Sequence, residues 1–160
     1  MILYAKNVYK RWYGLIKCLG KACLFFTANR FARLLTKMAE ESFFKIGLSP
    51  TEAFALMILN EEGAMGSSKL GQRLHLSPST VTRFIDKLIL KGYCIRTFEG
   101  KNSKLTLSPN GIKIQADIKK CWSELYQEYS MRLGDDESSE LSLKLYEYGD
   151  KLEEKYKLEE

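Results

Sequence analysis

The stretch from Leu70 to Gly92, LGQRLHLSPSTVTRFIDKLILKG, constrains the fold of this chain more than any other. It reads as two helices joined by a tight turn. Ser77-Pro78 is a helix start, since a serine oxygen can accept from unpaired N–H groups and proline at the first helical position gives up no bond. Val81, Phe84, Ile85, Leu88 and Ile89 then recur at the spacing of one buried helical stripe. Gly92 stands where a left-handed residue closes the helix. Upstream, Ser67 or Ser68 is expected to cap a short helix burying Leu70, Gly71 and Leu74. Glycine within a helix costs roughly 1 kcal/mol against alanine, so Gly71 implies a close neighbour such as a crossing helix. His75 and Leu76 form the turn, with His75 expected at positive φ.

The polar face of the second helix carries Ser79, Thr80, Thr82, Arg83 and Lys87, with Ser77 at its start. A helix-turn-helix places such residues on duplex DNA. The N-terminal part of the second helix meets base edges in the major groove while the first helix braces against the backbone. Short hydroxyl side chains permit close approach, and an arginine can make two hydrogen bonds to guanine. The plain alternative for an isolated pair is a solvated helical hairpin that touches nothing. The residues after Gly92 argue against that alternative. Tyr93 to Phe98 form one strand-like run and Leu105 to Leu107 part of another, and the intervening EGKNSK is rich in turn formers and positive charge. A helix pair that leads into a hairpin is a winged helix, whose wing can set Arg96, Lys101, Asn102 and Lys104 on phosphates or in a minor groove.

From about Leu48 to Leu133 the chain resembles the MarR family of bacterial winged-helix transcriptional regulators. GLSPTEAFALMIL is similar to the helix preceding that family's helix-turn-helix, LGQRLHLSPSTVTRFIDKLILKGY matches its recognition unit, and EGKNSKLTLSPNG resembles its wing and the exit into a long helix. Two positions depart from the pattern. His75 replaces a usual glycine, and the wing is several residues short, with Gly100 in place of the first of two usual arginines. The resemblance implies a mainly α fold with a small β-hairpin wing. It also implies a homodimer held by N- and C-terminal helices, and repression rather than activation. A small aromatic or apolar effector, or a chemical signal, would release the operator.

Charge agrees with this reading. Met65 to Leu107 holds eight basic residues (Lys69, Arg73, Arg83, Lys87, Lys91, Arg96, Lys101 and Lys104) against Asp86 and Glu99, the footprint expected of a phosphate-binding surface. The expected organisation is an N-terminal helical dimerisation region over 1–47, a winged helix-turn-helix over 48–107 and a C-terminal helical dimerisation region over 108–160. Leu24, Ala28, Phe31, Leu35 and Met38 make one helical stripe. Ile118, Trp122, Leu125 and Tyr129 make another, in a helix beginning near Ser108-Pro109. Leu141, Leu145, Tyr148 and Leu152 make a third. Met1 to Lys37 has eight basic residues and no acid, whereas Gly134 to Glu160 has ten acids and four lysines; such ends would attract each other across a dimer. The alternative is that both are solvated faces. The segment 1–22 suits an added dimer clasp, a DNA-contacting arm or a membrane-surface helix.

Other classes fare worse. No glycine loop cradles phosphate, no nucleophile–base set is present and the single histidine falls in a turn, so an enzyme and a metal centre are not expected. Nothing resembles a membrane span or signal peptide, which points to the cytoplasm. The resemblance implies a further role for Cys18 or Cys23, since some proteins of that family sense peroxide through a cysteine near the first helix, although buried inert thiols are the commoner use of cysteine. Phe43, Phe44, Trp122 and Tyr126 could line a pocket for a planar apolar ligand or could simply be core. The serious rival function is a winged-helix protein–protein module, because the fold does not by itself establish DNA binding.

Overall fold

The computed structural model describes residues 23–99 and 102–157. Helices α1 (Leu24–Phe44), α2 (Pro50–Glu62), α3 (Ser67–Leu74) and α4 (Pro78–Leu90) precede strands β1 (Cys94–Glu99) and β2 (Asn102–Leu107). Helices α5 (Pro109–Lys113), α6 (Gln115–Leu133) and α7 (Asp135–Lys157) complete the chain order. The fold is therefore mainly α with a two-stranded wing. Cys18, Lys101 and the whole segment 1–22 lie outside the described residues.

The chain divides into two compact units, one ending at Glu41 and one beginning at Ser42. In the first, the partly covered positions of α1 and its start are Cys23, Thr27, Phe31, Leu35 and Met38. Leu24 and Ala28, expected in this stripe, are exposed instead, Leu24 at 77%. The covered line steps by four residues from Cys23 to Leu35, so it begins one position earlier than the sequence pattern suggests.

The second unit is built around α2. Ser49 starts that helix with a reciprocal cap, its hydroxyl accepting from the Glu52 N–H while the Glu52 carboxylate accepts from the Ser49 N–H. Ala53, Ala55, Leu56, Ile58 and Leu59 are all buried, so α2 is apolar around most of its circumference, as befits a central helix. Leu70 from α3, Val81, Ile85 and Leu88 from α4, Leu105 from β2, and Ile118 and Leu125 from α6 complete the core.

Three local expectations are corrected. Neither Ser67 nor Ser68 caps α3; the cap position is Gly66, and no side chain bonds there. The strands run further than expected, pairing Cys94 with Leu107 through Glu99 with Asn102, so most of EGKNSK belongs to the ladder. The helix after the wing is two helices, because α5 ends at Lys113 and Ile114 separates it from α6. Ser108 fixes this exit, its hydroxyl accepting from the Gly111 N–H at 3.1 Å and donating to the Gly92 carbonyl at 2.6 Å. In α7, Leu141 is half-buried, whereas Leu145, Tyr148 and Leu152 are exposed.

Candidate nucleic-acid interface

The α3–α4 pair is set by two backbone features. A Cβ on Gly71 would lie 2.9 Å from Val81 Cγ2 and 3.4 Å from the Leu76 carbonyl oxygen, so the close neighbour implied by this glycine is the crossing helix α4. His75 adopts φ 50° and ψ 43°, the left-handed conformation that ends α3. Its N–H bonds the Gln72 carbonyl at 3.2 Å, and the Leu76 N–H bonds that of Gly71 at 3.0 Å. The turn therefore tolerates histidine in place of glycine at some conformational cost.

With Val81, Ile85 and Leu88 buried, α4 leaves Ser79, Thr80, Thr82, Arg83 and Lys87 in solvent. Ser77 occupies the cap position but makes no cap bond. Its hydroxyl lies 2.9 Å from that of Thr80 and 3.3 Å from that of Ser79. The first turns of both α3 and α4 thus carry amide donors that no capping side chain accepts, the arrangement that suits an anion. Thr82 donates to the Pro78 carbonyl at 3.0 Å, leaving its oxygen lone pairs as the group presented outward. Thr80, Arg83, Phe84 and Lys87 border a shallow depression of about 220 Å³ on this face.

The wing is anchored on both sides. Met65, just before α3, exchanges two backbone hydrogen bonds with Leu105 at 3.1 and 2.8 Å, adding a one-residue bridge to the β2 side of the hairpin. Arg96 of β1 reaches Asp86 of α4 at 3.1 Å. This pair fixes the wing against the recognition helix, and it also means that Arg96 must exchange a carboxylate for a phosphate if it is to touch DNA. Lys104 is half-buried on β2, and Asn102 begins that strand opposite Glu99.

Pairing alters the simple charge count. Lys69 and Arg73 both bond Glu62, at 3.2 and 2.6 Å, and the Arg73 hydrogen bond is the main reason that the Glu62 carboxyl titrates below its ordinary range. Lys91 bonds the buried Glu52 carboxylate at 2.7 Å and the Gly47 carbonyl at 2.9 Å. Among the described residues, Lys69, Arg73, Lys91 and Arg96 are therefore tied to acids, the first three to acids outside the Met65–Leu107 segment. Arg83 and Lys87, on the reading face of α4, make no ion pair among the described residues. Sequence reasoning gave Lys91 and Arg73 only as charge; distant Glu52 and Glu62 carried no local signal of the pairing.

The aromatic quartet does not converge. Phe43 is buried with its ring 4.8 Å from that of Trp122, edge to face. Phe44 is 84% exposed, and Tyr126 stacks edge-on with Tyr129 while its hydroxyl donates to Asp135. Ser42, buried beside Phe43, donates to the Cys121 carbonyl at 2.9 Å, and Lys45 pairs with Glu124 at 2.6 Å, so this region ties the end of α1 to α6. Burial pushes the Cys94 thiol up to about 12 and raises that of Cys121, which makes both poor nucleophiles. Cys23 is half-buried.

Residues 48–102, from the start of α2 into the wing, match the model of the MarR family. Over these residues the chain is similar to the MarR family. That family and the relatives this chain resembles are transcriptional regulators and not enzymes. Among relatives, the HTH-type transcriptional regulator SarZ of Staphylococcus haemolyticus is 27% identical over 103 residues, covering 62% of this chain and 70% of SarZ. The HTH-type transcriptional repressor MdtR of Bacillus subtilis is 32% identical over 65 residues, 41% of this chain and 42% of MdtR. The fold is shared with the transcriptional repressor CouR bound to a 23-mer DNA duplex, at TM-score 0.74 and 18% identity, over 79% of this chain and 92% of CouR.

Proposed function

We propose that this MarR-like chain reads a pseudo-palindromic operator in double-stranded DNA as a homodimer. The observation that carries the reading is α4. It buries Val81, Ile85 and Leu88 and turns three hydroxyls, Arg83 and Lys87 outward beside a wing fixed to it by Arg96 and Asp86. Arg83 is assigned a base edge, Ser77, Ser79, Thr80 and Thr82 close contacts at the groove, and Lys87, Arg96, Lys101, Asn102 and Lys104 the backbone. Two such heads related by a two-fold axis would address half-sites about one helical turn apart. Dimerisation is supported by the exposed Leu145, Tyr148 and Leu152 of α7 and by the opposite charges of the chain's two ends. The regions 1–47 and 108–160 are assigned to it, flanking a reading domain over 48–107.

Repression by promoter occupancy is inferred by likeness to the repressors MdtR and CouR, and release by a small ligand or chemical signal is supported by CouR's having also been solved bound to p-coumaroyl-CoA. A reader of chromosomal DNA in a bacterium works in the cytoplasm. No helix among the described residues is long and apolar enough to cross a membrane.

A protein-binding winged helix is favoured by one observation: Leu90, Ile95 and Phe98 are exposed on the recognition helix and wing. Selection of bound duplexes from a random pool separates the two readings. A palindromic consensus whose affinity falls steeply with salt is the expected result. No enrichment, with binding indifferent to salt, would overturn the DNA reading.

A further inference from the structure

The acidic helix α7 returns to the reading unit. After Gly134 it runs from Asp135 to Lys157, and Glu153 near its end places Oε1 3.0 Å from Nδ1 of His75, the left-handed residue between α3 and α4. The two residues border a cleft of about 490 Å³ whose other walls include Ser67, Ser68 and Gln72 of α3 and Thr82 of α4. These belong to the surface that a helix-turn-helix sets against the DNA backbone. The first turn of α3 lacks a side-chain cap, so its amides are left for an anionic acceptor. Glu147, Asp150, Glu153 and Glu154 bring four carboxylates within about two turns of α7.

We propose that the C-terminal turns of α7 compete with DNA for the reading unit, Glu153 holding ground that a backbone phosphate takes on binding. The inference rests on the DNA-reading function proposed above. A carboxylate and a phosphate repel at close range, so the arriving duplex must displace Glu153 from His75. Part of the intrinsic DNA affinity is spent on that displacement. The contact is largely exposed, with side-chain exposures of 55% and 43%, which keeps the brake weak and reversible. It also joins the C-terminal helix to the turn that orients α4, so anything that draws α7 away, including a partner protomer, would raise affinity for DNA.

The test uses the full-length chain and a fluorescent random-sequence duplex, with binding followed by anisotropy at fixed salt. Glu153→Gln is expected to tighten binding about two- to fivefold, the range of a single exposed polar contact. His75→Asn, which tolerates the same backbone, should do likewise, and the double variant should add little to either. Glu154→Gln removes an identical charge one residue along and should change affinity less than about twofold. Equal tightening by Glu154→Gln and Glu153→Gln would overturn the contact in favour of bulk charge, and unchanged affinity in Glu153→Gln would overturn it outright. Failure of every variant, including the parent, to bind any duplex would remove the DNA-reading function and the brake with it.

Discussion

Arg83 and Gly71 carry opposite kinds of information about the reading head. Arg83 is exposed and without an ion pair among the described residues, and the proposed function assigns its contribution to a partner. Arg83→Ala should cost about 1–3 kcal/mol of binding to a selected operator while changing binding to random duplex much less. Equal losses on both duplexes would make it a phosphate contact. Gly71 contributes to the fold. Alanine there gains roughly 1 kcal/mol of helix propensity but drives a methyl to 2.9 Å from Val81 Cγ2. A net loss of about 1–2 kcal/mol in urea melts is expected. Val81→Ala should relieve much of the added cost, giving a favourable coupling in the double variant. His75 carries a third kind of information. Its positive φ was legible in the sequence from its place in the turn, yet its partner Glu153 lies 78 positions away, beyond any local pattern.

At the scale of elements, the helix pair and the two strands were readable because their signals are local: helical spacing in α4, proline at its first position, strand-forming residues after Gly92. Whatever depended on a distant partner was not. The Glu52–Lys91 pair shows why. Glu52 caps the start of α2 together with Ser49, and the same carboxylate, with its side chain 5% exposed, also holds the lysine that ends α4. Substituting Glu52→Gln keeps the shape and removes the charge, which should cost about 2 kcal/mol of stability in thermal or denaturant unfolding. A change within error would mean that the lysine finds water at no loss. The cap of α3 failed to be read for a related reason. Serines at 67 and 68 look like caps in isolation, but Gly66 takes the boundary position. The strands were read too short because polar residues such as Ser103 and Lys104, which resemble a loop in sequence, are held in register by the opposite strand. The aromatic quartet was legible only in part. Phe43 and Trp122 meet, but α1 ends at Phe44, whose side chain points to solvent.

At the scale of the whole molecule, opposite charge at the two ends and the bare apolar residues of α7 predict an assembly sensitive to its N-terminal segment. Removal of residues 1–22 should shift the monomer–dimer equilibrium toward monomer in sedimentation experiments. The shift should shrink at high salt, where screening already weakens the attraction in the intact chain. An unchanged equilibrium would assign the segment to another task. The bridge between Met65 and Leu105 has a consequence of a different kind. Its two hydrogen bonds close α3, α4 and β1 into a ring joined back on itself through β2. Local opening of such a ring is expected to be cooperative. Deuterium uptake at the Met65 and Leu105 amides should therefore keep pace with that of the Ile85 amide in the middle of α4, so that the wing cannot unzip on a faster clock than the helix it accompanies.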